Sequence, residues 1–498
     1  MPVEPTSLAE LVGAAAQQRP GSPAVVDGAT RLTWSELDAA LDRAAAGYAA
    51  AGLEPGARVA VALPNGVDWL RAALGALRAG LVVVPVNTAY TDAELGWLLT
   101  DSGAELLVTA APRESLTGIA VSVGPPDGAG PVPDVDLAPD AVSFLAYTSG
   151  TSGRPRGARL TAAALRANQQ QCLALDPSPV SPDDRVLLVL PLFHVYGLNA
   201  GFGLVAATGA CAVLTSGFDP QGSLALMAEE RVTAVPGAPP MYQAWLATGD
   251  DDALRRAFAS VRIASSGAAP LPAEVWTAMR DRAGVTVWEG YGLTEAAPVV
   301  ASTLATGRAK PACIGAALPG LELQLRDTAT REGGDPATED DVEEGPGEIW
   351  VRGSNLFTGY WPDGDGGPDG QGWLATGDLA YRDAEGDLHL VDRRSDLVLV
   401  SGFNVYPAEV ERVLDDHPAV RESAVLGVPD PRTGQAVRAV VALAAGSTAT
   451  FAELQAHAAA SLARYKVPTS VHFVDALPHS LTGKISRARL RELGLSDG

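Results

Sequence analysis

Residues 147–157 read Tyr-Thr-Ser-Gly-Thr-Ser-Gly-Arg-Pro-Arg-Gly, a run with four Ser and Thr hydroxyls, three glycines and two arginines. Backbone N–H groups, hydroxyl donors and positive charge in one small volume are what a polyphosphate needs. The run follows Val142-Ser-Phe-Leu-Ala146, whose apolar character predicts a buried strand. It is not a GxxxxGK[ST] loop. Counted from Gly150, the second glycine would fall on Pro155, and no Lys follows. Composition alone fits a flexible linker equally well.

Three further stretches could carry chemistry. The first is Trp288-Glu-Gly-Tyr-Gly-Leu-Thr-Glu-Ala-Ala-Pro298. There Tyr291 can stack on a purine and Thr294 can bond a phosphate. Glu295 can hold Mg²⁺, which binds through one or two carboxylates plus substrate phosphates. A strand-to-helix turn with an incidental glutamate reads the same way. The second combines Trp373-Leu-Ala-Thr-Gly-Asp378, Val391-Asp-Arg-Arg-Ser-Asp-Leu397 and Ser401-Gly-Phe-Asn-Val-Tyr-Pro-Ala-Glu-Val-Glu411. Asp378, after a glycine turn, can chelate the two hydroxyls of a ribose, and Arg393 can do the same or hold a phosphate. A solvated hairpin with surface charges is the plainer alternative. The third is Pro478-His-Ser-Leu-Thr-Gly-Lys484, where Lys484 by itself is an ordinary surface lysine. Gly201-Phe-Gly-Leu-Val-Ala206 fits GxGxxA, but Pro191 interrupts the strand that should precede it, so the glycines read as helix packing.

These residues need a scaffold, and the chain is long enough to build one. Its 498 residues allow about three domain-sized units, or one large multi-lobed domain plus a small one. Hydrophobic content of 47% with 19% charged residues describes a globular chain. No run approaches ~18 consecutive apolar residues, so no transmembrane segment is expected. The N-terminal stretch lacks the basic start and apolar core of an export signal, and Thr6-Ser-Leu-Ala-Glu-Leu-Val-Gly13 reads as a capped amphipathic helix. Three scattered cysteines, Cys172, Cys211 and Cys313, point to a reducing, cytoplasmic setting and to no structural zinc. A formal charge of −23 disfavours nucleic acid and anionic lipid as partners. Anionic ligands would then need locally focused arginine and lysine.

Strands predicted at Arg58–Leu63, Leu81–Val86, Arg185–Leu190, Cys211–Leu214, Val261–Ala264 and Val285–Trp288 alternate with Ala/Leu-rich helices such as Val67–Arg78. Continuous apolar strands between helices indicate parallel sheets covered on both faces. Residues 326–346 and 363–372 have turn composition and read as exposed loops. Beyond about residue 395 the pattern becomes α+β, with helices at Pro407–Asp416 and Phe451–Leu462 and strands at Ser423–Val428, Val437–Leu443 and Ser470–Val474.

Taken together and in this order, the blocks resemble the adenylate-forming superfamily of acyl- and aryl-CoA synthetases, adenylation domains and luciferases. Within it they look most like fatty-acyl-CoA ligases, on the run Val391–Glu411 and on Arg464-Tyr-Lys-Val-Pro468. The resemblance implies an α/β fold. A large N-terminal domain, residues 1–393, would hold parallel-rich sheets covered by helices plus a β-barrel-like subdomain. A small mobile α+β C-terminal domain, residues 394–498, would carry the catalytic lysine. It implies ATP, Mg²⁺ and CoA as cofactor and co-substrates. A carboxylic acid would be joined to AMP with loss of pyrophosphate, then passed to the CoA thiol.

Carried onto this sequence, Thr148, Ser149, Gly150, Thr151, Ser152, Gly153 and Arg156 would cradle phosphates. Gly267 and Tyr291 would face the adenosine, and Asp378 and Arg393 the ribose. Thr294 and Glu295 would act at the phosphates and magnesium, and Lys484 would bridge carboxylate and α-phosphate. Gly402 would let a pantetheine arm pass. His194, Tyr196, Gly237 and Gly267 would line the acid pocket. Ser395 would be the hinge. Two positions depart from the pattern: Arg156 and Ser395 stand where Lys, and Asp or Lys, are usual. No acidic residue lies in Pro191–Gly197 to hold an α-ammonium, and Gln243-Ala-Trp245 after Gly237–Tyr242 has no cation for a second carboxylate. The resemblance therefore disfavours amino acids and short dicarboxylates and favours a fatty or aryl acid. Two other functions fit the same blocks: an adenylating enzyme that loads a carrier protein, and a non-catalytic adenylate-binding regulator. Oligomeric state is not legible.

Overall fold

Serine or threonine three residues ahead of glutamate opens four helices of the chain. Ser7/Glu10, Thr33/Glu36, Thr91/Glu94 and Thr450/Glu453 each exchange side-chain-to-backbone hydrogen bonds at a helix start. Each box satisfies N–H groups that the helix itself cannot. The expected helix Val67–Arg78 forms over those residues. The computed structural model describes residues 7–113, 115–116, 118–135, 138–148, 155–326, 346–393, 396, 398–400, 403–430, 433–462, 464–479, 485–491 and 493.

Two compact units emerge: residues 1–322 with 351–374, and residues 323–350 with 375–498. The first holds two sheets. In the nine-stranded sheet the strands Pro23–Asp27, Cys211–Leu214, Arg185–Leu188, Ala234–Gly237, Ile263–Ser266 and Val287–Gly292 run parallel as neighbours. Val299–Ser302, Ala316–Ala317 and Thr30–Thr33 add antiparallel edges. The six-stranded sheet runs Ala120–Val123, Leu106–Thr109, Arg58–Ala62, Val82–Pro85, Val142–Thr148, Arg156–Thr161, with only its last pair antiparallel. Leu187, Val213, Val235, Ala264 and Val287 put one face of the larger sheet into a core closed by Tyr242, Trp245, Phe258 and Met279. These are the covered, mostly parallel sheets that the apolar strand runs implied.

The second unit holds most of two further sheets. A four-stranded half-barrel orders Glu322–Arg326, Gly347–Arg352, Trp373–Arg382 and Leu388–Arg393. A five-stranded sheet of Phe403–Val405, Val398–Val400, Gly434–Leu443, Val420–Asp430 and Ser470–Val474 packs on helices Pro407–Asp415 and Phe451–Ser461. Its own core includes Val398, Val410, Leu414, Val425, Val441 and Leu454. Among the described residues no helix is long and apolar enough to cross a membrane.

A buried carboxylate ties three strands of the large sheet. Asp184, 3% exposed, accepts from Arg262 Nε at 2.9 Å, from Thr233 Oγ1 at 2.7 Å and from Ser181 N at 2.6 Å. Burial by itself raises its pKa. The donors of Arg262, Thr233 and Ser181 outweigh burial and lower it from 3.8. A lowered carboxylate adds stability that is complete above its unfolded value and is lost as pH falls through the folded one. Asp184→Ala should therefore cost about 2 kcal/mol at pH 7, because Thr233 Oγ1, Ser181 N and Arg262 all lose their buried acceptor. The deficit should shrink in acid below about pH 4. Urea titrations of both proteins at pH 7 and pH 3.5 check this, and a pH-independent deficit counts against it.

Candidate active site

In sheets of this kind ligands bind outside the carboxyl ends of the parallel strands. The nine-stranded sheet brings the anticipated residues to that edge. The strand Arg185–Leu188 leads to His194 and Tyr196, Ala234–Gly237 ends on Gly237, Ile263–Ser266 leads into Gly267, and Val287–Gly292 leads into Thr294 and Glu295. Residues drawn from positions 194 to 295 of the sequence thus meet on one rim.

The pocket residues interlock. Tyr196 donates its hydroxyl to the Gly237 carbonyl at 3.2 Å. Its ring lies over Gly267, where a Cβ would stand 3.1 Å from Cε1. Burial pushes the Tyr196 phenol up to about 12, so it stays a neutral donor. A Cβ on Gly237 would stand 3.0 Å from the Tyr242 ring, and Tyr242 donates to Ser265 O at 2.8 Å. His194 Nδ1 accepts from Tyr196 N at 3.2 Å, which leaves the imidazole proton on Nε2. Tyr291 is 8% exposed in its strand.

Thr294–Ala296 form a 3₁₀ turn closed by Leu293 N donating to Pro298 O at 2.9 Å. Gly292 is required there, since a Cβ would come within 2.2 Å of Pro298 O. Glu295 accepts Phe357 N–H on its carbonyl at 2.9 Å and the Tyr360 hydroxyl on Oε1 at 2.5 Å.

The turn rests on a set of buried amides that the sequence reading missed. Asn199 Nδ2 donates to Ala297 O at 2.6 Å and Asn355 Nδ2 to Ala296 O at 2.7 Å. Asn168 donates to Val299 O at 2.8 Å and accepts Val299 N at 3.2 Å. Gln169 donates to Asn199 Oδ1 at 2.7 Å, and Gln171 to Asn355 Oδ1 at 3.3 Å. All five side chains are buried. The signal was present: Asn168-Gln-Gln-Gln171 is a polar run inside the helix Ala162–Leu173. The predicted helix-packing role of the Gly201–Ala206 stretch also fits, because a Cβ on Gly203 would strike Asn199 Oδ1 at 2.8 Å.

Thr148 and Arg156 face each other across the last antiparallel pair of the smaller sheet. Ser149, Gly150, Thr151, Ser152 and Gly153 lie outside the described residues, as do Ser395, Gly402 and Lys484. Thr148 Oγ1 is buried without a partner among the described residues, a donor suited to a phosphate oxygen. Among the described residues no cluster of three or more His, Cys, Asp or Glu could hold a metal unaided. One carboxylate plus phosphates is the arrangement that suits Mg²⁺, and Glu295 fits it. In the second unit Asp378 and Arg393 are direct partners across the antiparallel strands Trp373–Arg382 and Leu388–Arg393. Two residues read separately as ribose ligands are thus placed opposite one another.

The sequence matches AMP-binding enzyme over residues 12–361 and the AMP-binding enzyme C-terminal domain over residues 409–484. The chain belongs to the AMP-binding enzyme family. A feruloyl-CoA synthase of an Amycolatopsis species is 39% identical over 489 residues, covering 96% of each chain. A long-chain-fatty-acid–CoA ligase of Bacillus subtilis is 32% identical over 543 residues, covering 99% of this chain and 95% of its own. The solved structure of the Bacillus subtilis O-succinylbenzoate coenzyme A synthetase with ATP and magnesium superposes with a TM-score of 0.84 at 28% identity, over 97% of this chain and 99% of that one. The activity is therefore that of an ATP-dependent acyl-CoA ligase, with an acid, ATP and CoA as substrates.

A second buried carboxylate, Glu289, accepts Leu271 N at 3.1 Å and Ala312 N at 3.0 Å, one on each oxygen. It ties the loop after Gly267 to the segment around Cys313. Burial pushes it up to about 7 against the pull of those N–H groups. Between its unfolded value of 4.5 and about 7 the folded state holds a proton that the unfolded chain has lost. Its contribution to stability therefore falls as pH rises through that window. Glu289→Gln should flatten the decline of the thermal midpoint between pH 5 and pH 7, and parallel curves would exclude this role. Asn199→Leu should cost about 3 kcal/mol in denaturant unfolding by stranding the Ala297 carbonyl and Gln169, and a loss under 1 kcal/mol would show the network to be dispensable.

Proposed function

We propose that the enzyme activates an apolar carboxylic acid, fatty or aryl, and that the residues above divide the two half-reactions between them. The observation that carries the assignment is the meeting of Gly237, Gly267 and the Thr294–Glu295 turn at the carboxyl ends of adjacent parallel strands. The acid pocket would be lined by Tyr196, with Tyr242, Met241 and Trp245 buried behind it. An aromatic wall of this kind suits an apolar acid. The feruloyl-CoA synthase relative fits the aryl end of that range.

The phosphate chain of ATP is assigned to the hydroxyl-rich run: Thr148, Ser149, Gly150, Thr151, Ser152, Gly153 and Arg156. Asp378 and Arg393 take the ribose, and Tyr291 and Gly267 the adenine side. Glu295 and the phosphates would hold Mg²⁺, which offsets charge on the departing pyrophosphate. His194 Nε2–H and Lys484 meet the acid carboxylate, and Lys484 also reaches the α-phosphate. Residues 394–498 turn about Ser395 between half-reactions, and Gly402 then admits the pantetheine arm. Reduced, buried Cys172, Cys211 and Cys313 support a cytoplasmic location.

Incubation with ATP, Mg²⁺ and a panel of fatty and aryl acids, with and without CoA, tests the reading through pyrophosphate and thioester release. Glu295→Gln and Lys484→Ala should each slow pyrophosphate release about a hundredfold, while thioester formation from supplied acyl-adenylate proceeds. Ser395→Pro should slow one half-reaction and spare the other. Equal loss in both half-reactions, or none, would overturn the division of labour.

A further inference from the structure

The unusual arginine of the phosphate loop has a partner. The Arg156 guanidinium lies 3.8 Å from the centre of the Tyr360 ring, and the Tyr360 hydroxyl reaches Glu295 Oε1 at 2.5 Å. One side chain therefore touches both the arginine assigned to the phosphates and the carboxylate assigned to magnesium. Nothing in the sequence pattern singled out Tyr360.

The surroundings hold it there. Residues 357–361 run beside the edge strand Arg156–Thr161. Arg159 N donates to Gly359 O at 3.1 Å, Trp361 N to Gly157 O at 2.8 Å, and Ala158 bridges Tyr360. The following turn folds back over the stack. Gly359 has φ +89°, and a Cβ there would come within 1.8 Å of Gly364 O, so only glycine closes it. A Cβ on Gly366 would lie 3.1 Å from the Tyr360 ring and 3.7 Å from Arg156 Nη1. The ring of Phe357 meets that of Tyr360 edge-on at 4.9 Å. The glycine-rich run 363–372, read from sequence as a plain exposed loop, begins as this cover.

We propose that Tyr360 is a positioning residue that couples the phosphate loop to the magnesium carboxylate: its ring seats the flat guanidinium of Arg156, and its hydroxyl orients Glu295 for the metal. This rests on the assignment of Glu295 to Mg²⁺. It also accounts for arginine where the family pattern has lysine. A planar, weakly hydrated cation stacks on an aromatic face, and a point-charge ammonium does so less well. With one oxygen of Glu295 bonded to Tyr360, the carboxylate presents its remaining lone pairs in a single orientation. The ring stack then aligns Arg156 for phosphate oxygens. Nucleotides with a triphosphate feel both effects, and AMP feels neither.

The test is ATP binding to the full-length enzyme by titration calorimetry, with Mg²⁺ varied and no acid present, alongside AMP binding and the thermal midpoint. Tyr360→Phe keeps the ring and removes the hydroxyl. It should weaken magnesium-dependent ATP binding roughly tenfold while leaving AMP binding and the midpoint unchanged. In a Glu295→Gln background it should add no further loss, because the two residues act through one contact. Arg156→Lys should weaken ATP binding about threefold in the wild-type background and not in Tyr360→Leu. Parallel loss of ATP and AMP binding would mean that Tyr360 only supports the fold. Undiminished or tighter ATP binding by Tyr360→Phe, with Glu295→Gln impaired, would overturn the coupling and spare the assignment of Glu295. Undiminished ATP binding by Glu295→Gln would remove both.

Discussion

The site depends on one constraint: a single 3₁₀ turn and the chain leaving it, Thr294–Val299, have to be held inside the protein with their carbonyls satisfied. A buried carbonyl without a donor is costly, and a turn offers few partners of its own. Five amide side chains from two helical stretches and one loop supply them. Asn199, Asn355 and Asn168 donate to the carbonyls of Ala297, Ala296 and Val299, and Gln169 and Gln171 steady two of those donors. Each amide both gives and receives, so the set closes on itself instead of ending in an orphan atom. Glu295 is aimed by this arrangement more than by its own neighbours in sequence.

Around that turn, charge is managed by geometry. The protein carries −23 overall, yet it must bind a polyphosphate. It places arginine at the start of the edge strand Arg156–Thr161 and stacks it on Tyr360, where it is spaced from Glu295 by a phenol. The phenol keeps cation and carboxylate engaged through one ring without letting them pair directly. Two buried carboxylates elsewhere serve the frame. Asp184 locks the strands of the large sheet to one another, and Glu289 gathers backbone N–H groups from two loops beside Gly267. Their opposite pKa directions follow from their donors. A guanidinium outweighs burial at Asp184, and neutral N–H groups do not at Glu289.

Much of the frame was legible in the sequence because hydrophobic period is a local property. The helix Val67–Arg78 and the strands Cys211–Leu214 and Ser470–Val474 begin and end where apolar spacing says they should. Strand ends near the site were less legible. Val261–Ala264 was expected and Ile263–Ser266 is found, because the polar Ser265 and Ser266 continue the ladder to the rim. The chemical blocks were legible by type and order: hydroxyls with glycine, an aspartate after a glycine turn, and a glutamate after a strand. The Asn168–Gln171 run was visible but mute. Amides in a helix look like a solvated face until the turn they serve is folded against them.

Sequence alone therefore determined the alternation of elements, the membership of the family and the residue types that can meet ATP, magnesium and an acid. These depend on short-range pattern and on chemistry that each side chain carries with it. Only the tertiary structure decided which of them share a rim, which ring Arg156 stacks on, and what Glu295 touches. Those facts arise between residues far apart in the chain, Arg156 with Tyr360 and Asn199 with Ala297. Such contacts form through packing of the sheets, and no local period records them.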